Sequence, residues 1–371
     1  MSIADFLMQL YDLLLPIAFL LNIVFAVTIV FVRRKNPASV PGWLLVLFVL
    51  PIIGCFLYLV FGQSYRKEKM FHMKQEADQR VTEYLSAQVQ EVKARAAKLD
   101  DRWAGAFHRM ALLLLQDNQA LITTNNQITP YTDGKAKFAD LLEAIRSARD
   151  HVHMEYFILK DDGLGRDIMK ALTERARAGV EVRLLVDGVG SGGLPRHFYD
   201  ELTAAGGKHA VFFPSLISYF NYRVNFRNHR KIAVIDGETA FIGGFNIGDD
   251  YLGLDPKWGS WRDAAVRIRG TGALIAQMRF YQDWNFASKD KLDVKERYFH
   301  QSPLPEGSMI QVVSGGPDTI WNPVKDSYLK LINTATETVY IQTPYFIPDE
   351  SVMDALHIAA QSGVDVRIMF P

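Results

Sequence analysis

The sequence predicts an α/β body with a mixed, largely parallel sheet and flanking helices, duplicated along the chain and preceded by a two-helix transmembrane hairpin. Three observations predict this architecture. Strand-like and helix-like segments alternate in the body, a pair of these segments recurs further along the chain, and two long stretches near the N-terminus carry no charged residue.

The composition excludes several classes of protein. The 371 residues are 49% hydrophobic and 12% aromatic, with 41 basic residues balancing 41 acidic ones, so the chain is not intrinsically disordered. A sequence pI near 7.1 gives no overall basic field, and nucleic acid is not an expected partner. The single cysteine, Cys55, cannot form an internal disulfide, which excludes a disulfide-stapled secreted domain.

The two charge-free stretches are Leu13–Val32 and Val40–Gly62. Each is long enough to cross a hydrocarbon core of roughly 30 Å, so residues 1–62 are predicted to form a hairpin of two spans. A cleavable signal peptide is the alternative, but residues 1–10 contain no Lys or Arg. The sequence therefore predicts a multi-pass membrane protein.

The membrane orientation depends on which flank is more basic. Both the short loop between the spans and the segment after the second span carry positive charges, and the larger number follows the second span. This favours a cytoplasmic body. Residues 63–118, rich in Ala, Lys, Glu and Gln with apolar residues every three or four positions, are predicted to form a helical connector.

The body begins with two helix–strand pairs, which predict βαβ-type packing. In chain order the predicted elements are a helix at Phe138–Asp150, a strand at His151–Ile158, a helix at Asp167–Ala178 and a strand at Val180–Asp187.

Two segments of the body recur in the same order. Residues 144–152 are echoed by 331–339, and residues 178–185 by 362–369, at nearly equal offsets. Two ordered echoes favour duplication over chance. We expect residues 119–300 to form a first repeat and residues 301–371 the start of a second.

A cluster of basic residues marks the candidate site in the first repeat. Residues 221–231 contain Arg223, Arg227, Arg230 and Lys231 without an acidic residue, a local field suited to an anionic phosphate. On a strand, His229 and Lys231 share one face. An imidazole can act as nucleophile or acid/base, and an adjacent ammonium can stabilise phosphoryl oxygens.

Downstream of this cluster, two adjacent glycines at 243 and 244 allow close backbone approach, and Asn246 supplies an amide that can donate to the same oxygens.

The pattern His229-x-Lys231-x4-Asp236-x6-Gly-Gly-x-Asn246 resembles the HKD motif of the phospholipase D superfamily. The apolar hairpin, the strand ending Asp187-Gly-Val-Gly-Ser191 and the segment 243–251 look more narrowly like the bacterial cardiolipin synthases. The resemblance covers essentially the whole chain, and it implies that His229, Lys231 and Asp236 are catalytic.

The resemblance also implies the reaction. One His attacks a phosphodiester, and a second His from the other repeat protonates the leaving glycerol. A second phosphatidylglycerol then accepts the phosphatidyl group, giving cardiolipin. The partners implied are phosphatidylglycerol, other anionic phospholipids and the membrane, and no cofactor or metal is implied.

The chain departs from this family pattern at one point. No second His-x-Lys follows Lys231, and at the spacing of the repeat such a motif would fall beyond Pro371. A fragment and a naturally short product both remain open. The alternatives are a lipid or nucleic-acid phosphodiesterase of the same superfamily, or an inactive membrane partner that binds lipid or another copy of the chain as a homo-oligomer.

Four further signals are weaker. Gly188-x-Gly190-x-x-Gly193 matches a dinucleotide-binding spacing but lacks the following acidic residue, so a structural turn is favoured. His151, His153 and Glu155 share a strand face, which is a weak metal signal. Glu155 is a candidate for lining the site. Asp263 is a candidate for orienting the His229 imidazole, with a surface salt bridge as the alternative.

Overall fold

The computed structural model describes ten stretches of the chain. They are residues 3–32, 40–58, 102–118, 120–213, 227–257, 259–293, 295–299, 304, 307–316 and 321–370.

The N-terminal unit contains one helix that is long and apolar enough to cross a membrane. Helix α1 (Ile3–Val27) continues into a π-helical turn (Thr28–Val32), and its apolar window is Asp12–Phe31. Within the described residues no second helix has this length.

The predicted second span, Val40–Gly62, is described as far as Tyr58 and is interrupted at one residue. Two short helices, α2 (Val40–Val49) and α3 (Pro51–Leu57), meet at Leu50. The break follows from Pro51, which has no backbone N–H to donate to the Leu47 carbonyl. Asn22 of α1 supplies that donor instead, with Nδ2 2.8 Å from the Leu47 oxygen.

Residues 59–101 lie outside the described part of the chain, and they include most of the predicted connector at 63–118. The body is described from residue 102 onward. Its helices are α4 (Arg102–Asn118), α5 (Gly134–Ser147), α6 (Gly163–Arg177), α7 (Asp200–Ala204), α8 (Ala273–Ala287), α9 (Pro323–Thr334) and α10 (Glu350–Gln361). Short 3₁₀ turns occur at Arg196–Tyr199, Asp249–Leu252 and Glu296–Phe299. Its strands are β1 (Thr123–Asp133), β2 (His151–Tyr156), β3 (Glu181–Asp187), β4 (Lys208–Phe212), β5 (Ile232–Ile235), β6 (Thr239–Gly243), β7 (Arg262–Arg269), β8 (Ser308–Ile310), β9 (Thr338–Gln342) and β10 (Asp365–Met369).

Eight strands form one mixed sheet, which confirms the predicted α/β fold class. Their order is β4-β3-β2-β5-β6-β7-β1-β8. Strands β2, β3 and β4 are parallel, whereas β5 pairs antiparallel with β2 and the pairing stays antiparallel to β8. The expectation that the sheet is largely parallel is wrong, because two of its seven described strand pairings are parallel. Every residue of β2 is buried, as expected for a central strand covered on both faces.

The segment from residue 321 repeats the first part of this unit. Helix α9, strand β9, helix α10 and strand β10 follow one another, and β9 pairs in parallel with β10 as β2 does with β3. This small sheet has its own apolar core, formed by Ile332, Ala355, Leu356, Ala359 and Val364.

Candidate active site

The candidate site lies at one edge of the large sheet, where β2 and β3 end and β5 begins. Because β5 runs antiparallel to β2, with Ile232 opposite Glu155, the residues before β5 meet the residues after β2. This register brings His229 beside Phe157.

His229 is an exposed residue with one face of its ring covered. The imidazole stacks on Phe157 with ring centroids 3.8 Å apart and an interplanar angle of 21°. Partial burial, reinforced by the positive charge of Lys231, holds the pKa of His229 below its ordinary value, and Asp187 acts in the opposite direction. The imidazole is therefore neutral near pH 7, the form that can act as a nucleophile.

Lys231 lies on the same side as His229, as predicted from strand alternation. Its Nζ donates to the His229 carbonyl oxygen at 2.6 Å and lies 5.3 Å from the Phe157 ring centroid. Burial lowers the pKa of Lys231 to about 8, and the negative charge of Asp263 opposes this shift. Lys231 thus remains mostly protonated at neutral pH.

The paired glycines place Asp263 near Lys231. Gly244 donates its backbone N–H to the Ala264 carbonyl at 2.8 Å, and a Cβ on Gly244 would lie 2.0 Å from Asp263 Oδ1. A side chain at position 244 would displace this carboxylate. Within the described residues Asp263 makes no hydrogen bond to His229, and its charge acts on Lys231; its role in orienting the imidazole stays a prediction.

Asn246 is buried at the base of the site. Its Oδ1 accepts from the Ile158 backbone N–H at 3.1 Å, and its Nδ2 donates to the Tyr251 hydroxyl at 2.6 Å. These bonds fix the loop after β6 to the end of β2. A phosphate contact from Asn246 is limited to its second amide hydrogen.

The predicted basic cluster does not point in one direction. Arg230 lies between His229 and Lys231 and faces the other way, where its guanidinium pairs with the buried Asp283 of α8 at 2.8 Å and donates to the Gly315 carbonyl. This ion pair corrects the prediction that Arg230 binds phosphate. Arg227 is half-buried and precedes the site, while Arg223 lies outside the described residues.

Asp236 lies at the opposite end of β5 from His229, with a positive φ of 53°. Its carboxylate accepts from the backbone N–H groups of Arg149, Asp150 and His151 at 2.8–3.2 Å. Four strand residues separate it from Lys231, which amounts to more than about 13 Å of extended chain. This placement corrects the catalytic assignment of Asp236: it anchors the turn that leads into β2.

Residues that the sequence did not single out hold the backbone next to His229. The buried Asn228 donates its backbone N–H to Asp187 at 2.9 Å and its side-chain amide to Glu155 at 3.3 Å. Glu155, itself fully buried, therefore supports the residue that precedes His229. In the sequence, these contacts could have been suspected from two features: Asp187 ends a predicted strand, and Asn228 directly precedes His229.

The remaining sequence signals have structural explanations. His151 and His153 are buried, and their Nδ1 atoms contact Asp150 and Gln277. In the described residues no three His, Cys, Asp or Glu side chains are grouped as metal ligands. In the glycine turn after β3, the backbone N–H groups of Val189 and Gly190 donate to Asp187, so they are engaged within the protein.

Comparison with family models assigns both parts of the chain. A family described as "Cardiolipin synthase, PLD-like domain" matches residues 141–271 and 328–371, and "Phospholipase_D-nuclease N-terminal" matches residues 20–63.

Curated proteins with related sequences carry the same description. The "Major cardiolipin synthase ClsA" of Bacillus subtilis (strain 168) is 41% identical over 365 residues, covering 98% of this chain and 76% of that protein. A "Cardiolipin synthase" of Staphylococcus aureus (strain N315) is 41% identical over 355 residues, covering 95% and 72%. Among solved structures, phosphatidylserine synthase of Haemophilus influenzae matches 71% of this chain and 66% of that chain, with 15% identity and a TM-score of 0.49.

Proposed function

Because the chain belongs to the cardiolipin synthase family, whose members are phosphatidyltransferases, we propose that it joins two phosphatidylglycerol molecules into cardiolipin with His229 as the nucleophile. The observation that supports this most directly is the juxtaposition at one sheet edge of an exposed imidazole with a lowered pKa and an ammonium that is protonated at neutral pH.

The proposed reaction has two displacements at phosphorus. A lone pair of the neutral His229 imidazole forms an N–P bond, the P–O bond to glycerol breaks, and the leaving oxygen takes a proton from a general acid. The hydroxyl of a second phosphatidylglycerol then attacks phosphorus and loses its proton to a base, the N–P bond breaks, and cardiolipin leaves. Lys231 stabilises the charge on the non-bridging oxygens in both steps.

The general acid is proposed to be an imidazole other than those described at this site. Within the described residues, His229 is the exposed imidazole beside Lys231 at this edge of the sheet. One imidazole cannot attack phosphorus and also protonate the leaving oxygen in the same step. Another His-x-Lys, further along the polypeptide or on a second copy of the chain, fits this need.

A substrate whose leaving group departs without protonation tests whether His229 is the nucleophile, because it does not need the second imidazole. A short-chain phosphatidyl ester of p-nitrophenol releases phenolate without protonation. We expect a burst approaching one equivalent of phenolate and a phosphatidyl adduct on His229, detected by mass spectrometry. His229→Gln should abolish the burst, and Lys231→Met should slow it about 10²- to 10³-fold.

His209→Gln is the matched control, because His209 is also exposed and also stacks on an aromatic ring, that of Tyr199. It should retain the burst. A normal burst in His229→Gln, or an adduct on another residue, contradicts the proposal. Conversion of radiolabelled phosphatidylglycerol to cardiolipin then tests the full reaction.

The finer membrane arrangement is also proposed here. We infer that residues 1–62 anchor the protein in the cell membrane by two passes and that the body faces the cytoplasm, supported by the number of basic residues after Gly62. Trypsin should cleave the body in inside-out vesicles and spare it in intact spheroplasts; cleavage in spheroplasts reverses the orientation.

A further inference from the structure

The turn after β3, Asp187-Gly-Val-Gly-Ser191, lies against the segment that carries His229. Asp187 is fully buried, and its Oδ1 accepts from the backbone N–H groups of Val189 and Gly190 at 2.9 and 3.0 Å. Its Oδ2 accepts from the backbone N–H of Asn228 at 2.9 Å. One carboxylate therefore joins the turn to the residue that precedes the nucleophile.

The same turn holds the end of β2 through Ser191. The buried Ser191 hydroxyl donates to the Phe157 carbonyl at 3.0 Å and accepts from the Leu159 backbone N–H at 3.0 Å. The backbone on both sides of Phe157 is thus bound to the turn. The segments that carry Phe157 and His229 are therefore both hydrogen-bonded to the 187–191 turn.

The Phe157 ring fills the space between the turn and the imidazole. Its face contacts His229 with centroids 3.8 Å apart. A Cβ on Gly190 would lie 2.3 Å from the Phe157 carbonyl oxygen and 2.8 Å from both the Cδ2 and Cε2 atoms of its ring. The glycine is therefore required by the close approach of the Phe157 backbone as well as its ring, which explains a spacing that resembles a nucleotide-binding loop.

We infer that Phe157, supported by the 187–191 turn, is a positioning residue for His229: its ring fixes the plane of the imidazole and excludes water from one of its faces. This inference rests on the proposed function in naming His229 as the nucleophile. Stacking of two planar rings selects a narrow range of imidazole orientations, so less rotational freedom is lost when the ring nitrogen approaches phosphorus.

The electrostatic surroundings agree with this role. Covering one ring face disfavours the charged imidazolium, and Lys231 acts in the same direction, whereas Asp187 stabilises the charge. Glu155 contacts the neighbouring Asn228, and Asp263 acts on Lys231. If Phe157 covers the imidazole, removal of its ring should raise the pKa of His229 toward its ordinary value.

The test compares two similar stacks in the full-length chain. His229 stacks on Phe157, and at the other end of the sheet His209 stacks on Tyr199, with centroids 4.3 Å apart and an interplanar angle of 7°. Burial lowers the pKa of His209 as well. The pH dependence of carbethoxylation by diethyl pyrocarbonate, followed at each histidine by peptide mass spectrometry, reports both pKa values in one sample.

Phe157→Leu should raise the titration midpoint of His229 and leave that of His209 unchanged, while Tyr199→Leu should do the reverse. Phe157→Leu should also slow the phenolate burst about 10- to 100-fold with less than about 3-fold change in the substrate concentration for half-maximal rate. Phe157→Tyr should preserve both properties because it keeps the ring.

An unchanged His229 midpoint and an unchanged burst in Phe157→Leu would overturn the inference. Circular dichroism checks folding, and if that variant does not fold, Phe157→Met, which also removes the planar ring, must give the same two changes. The carbethoxylation result does not depend on catalysis. Absence of a burst in the unmodified chain would therefore count against the proposed function, while the titration would still decide the role of Phe157.

Discussion

At the scale of single residues, His229 and Lys231 need opposite protonation states in one partly desolvated environment. Burial disfavours the charged form of both, so it keeps the imidazole neutral but also lowers the pKa of Lys231 to about 8. Asp263 limits the second effect, because its carboxylate favours the charged ammonium. The pair is consequently in its active form over a restricted pH range.

The rate of the phenolate burst at low substrate concentration should therefore depend on pH with two limbs. The nucleophile is competent above the pKa of His229, so the rate should fall on the acid side, with a midpoint below the ordinary pKa of histidine. The ammonium is present below the pKa of Lys231, so the rate should also fall above about pH 8. Stopped-flow absorbance between pH 5 and about 9.5 measures both limbs.

Two variants assign the alkaline limb. Lys231→Arg keeps a positive charge throughout this range and should remove that limb, although the changed geometry will lower the maximum. Asp263→Asn should move the limb to lower pH, because the charge that favours the ammonium is gone. An alkaline limb that survives in Lys231→Arg would mean that another group titrates.

At the scale of secondary structure elements, the sequence was informative where burial imposes a pattern. Strands β2 and β3 were predicted within two residues of their observed ends, because each is a short run rich in Val, Leu, Met or Tyr that follows a predicted helix. Strand β1 was not predicted. Its sequence is polar, contains Pro130 and begins near Asn125 with a positive φ, so it lacks a strand signal.

The candidate site was predictable to the same extent. Alternation along an extended segment correctly placed His229 and Lys231 on one side. The count of basic residues, however, wrongly assigned Arg230 to the phosphate-binding cluster, because its partner Asp283 lies on a helix distant in sequence. Contacts made by Phe157 and Asp187 depend on which strand ends meet. That information lies in the sheet order β3-β2-β5, which no local pattern contains.

Asp236 provides a prediction at this scale. Asp236→Ala leaves three backbone N–H groups without their acceptor and places Ala at a positive φ, so we expect a loss of about 2–3 kcal/mol in the free energy of unfolding. Asp236→Asn, which keeps an acceptor oxygen and tolerates this backbone conformation, should lose less. Urea denaturation of the body measures both values.

The same two variants distinguish a structural from a catalytic Asp236. The burst rate per folded molecule should match the unmodified chain in both, because the carboxylate lies at the far end of β5. A stable Asp236→Asn variant without a burst would restore the catalytic assignment.

At the scale of the whole molecule, the chain combines a membrane-associated N-terminal unit with an α/β body. Within the N-terminal unit, α1 and the α2–α3 pair are joined by the buried Asn22, which donates to the Leu47 and Pro51 carbonyls. A buried amide of this kind specifies helix pairing in an apolar medium. The body has apolar cores of its own.

Deletion of residues 1–62 should therefore separate localisation from chemistry. The proposed substrate remains in the bilayer, and an anchored site meets it at a high effective concentration that a dissolved body lacks. We expect activity on phosphatidylglycerol vesicles to fall on the order of 100-fold, while the burst with the soluble p-nitrophenyl diester stays within about 3-fold of the unmodified chain. An unrelated two-span anchor fused to the body is the control and should restore activity on vesicles. If both substrates lose activity equally, or the foreign anchor restores nothing, residues 1–62 contribute to the folded site itself and do more than hold it at the membrane.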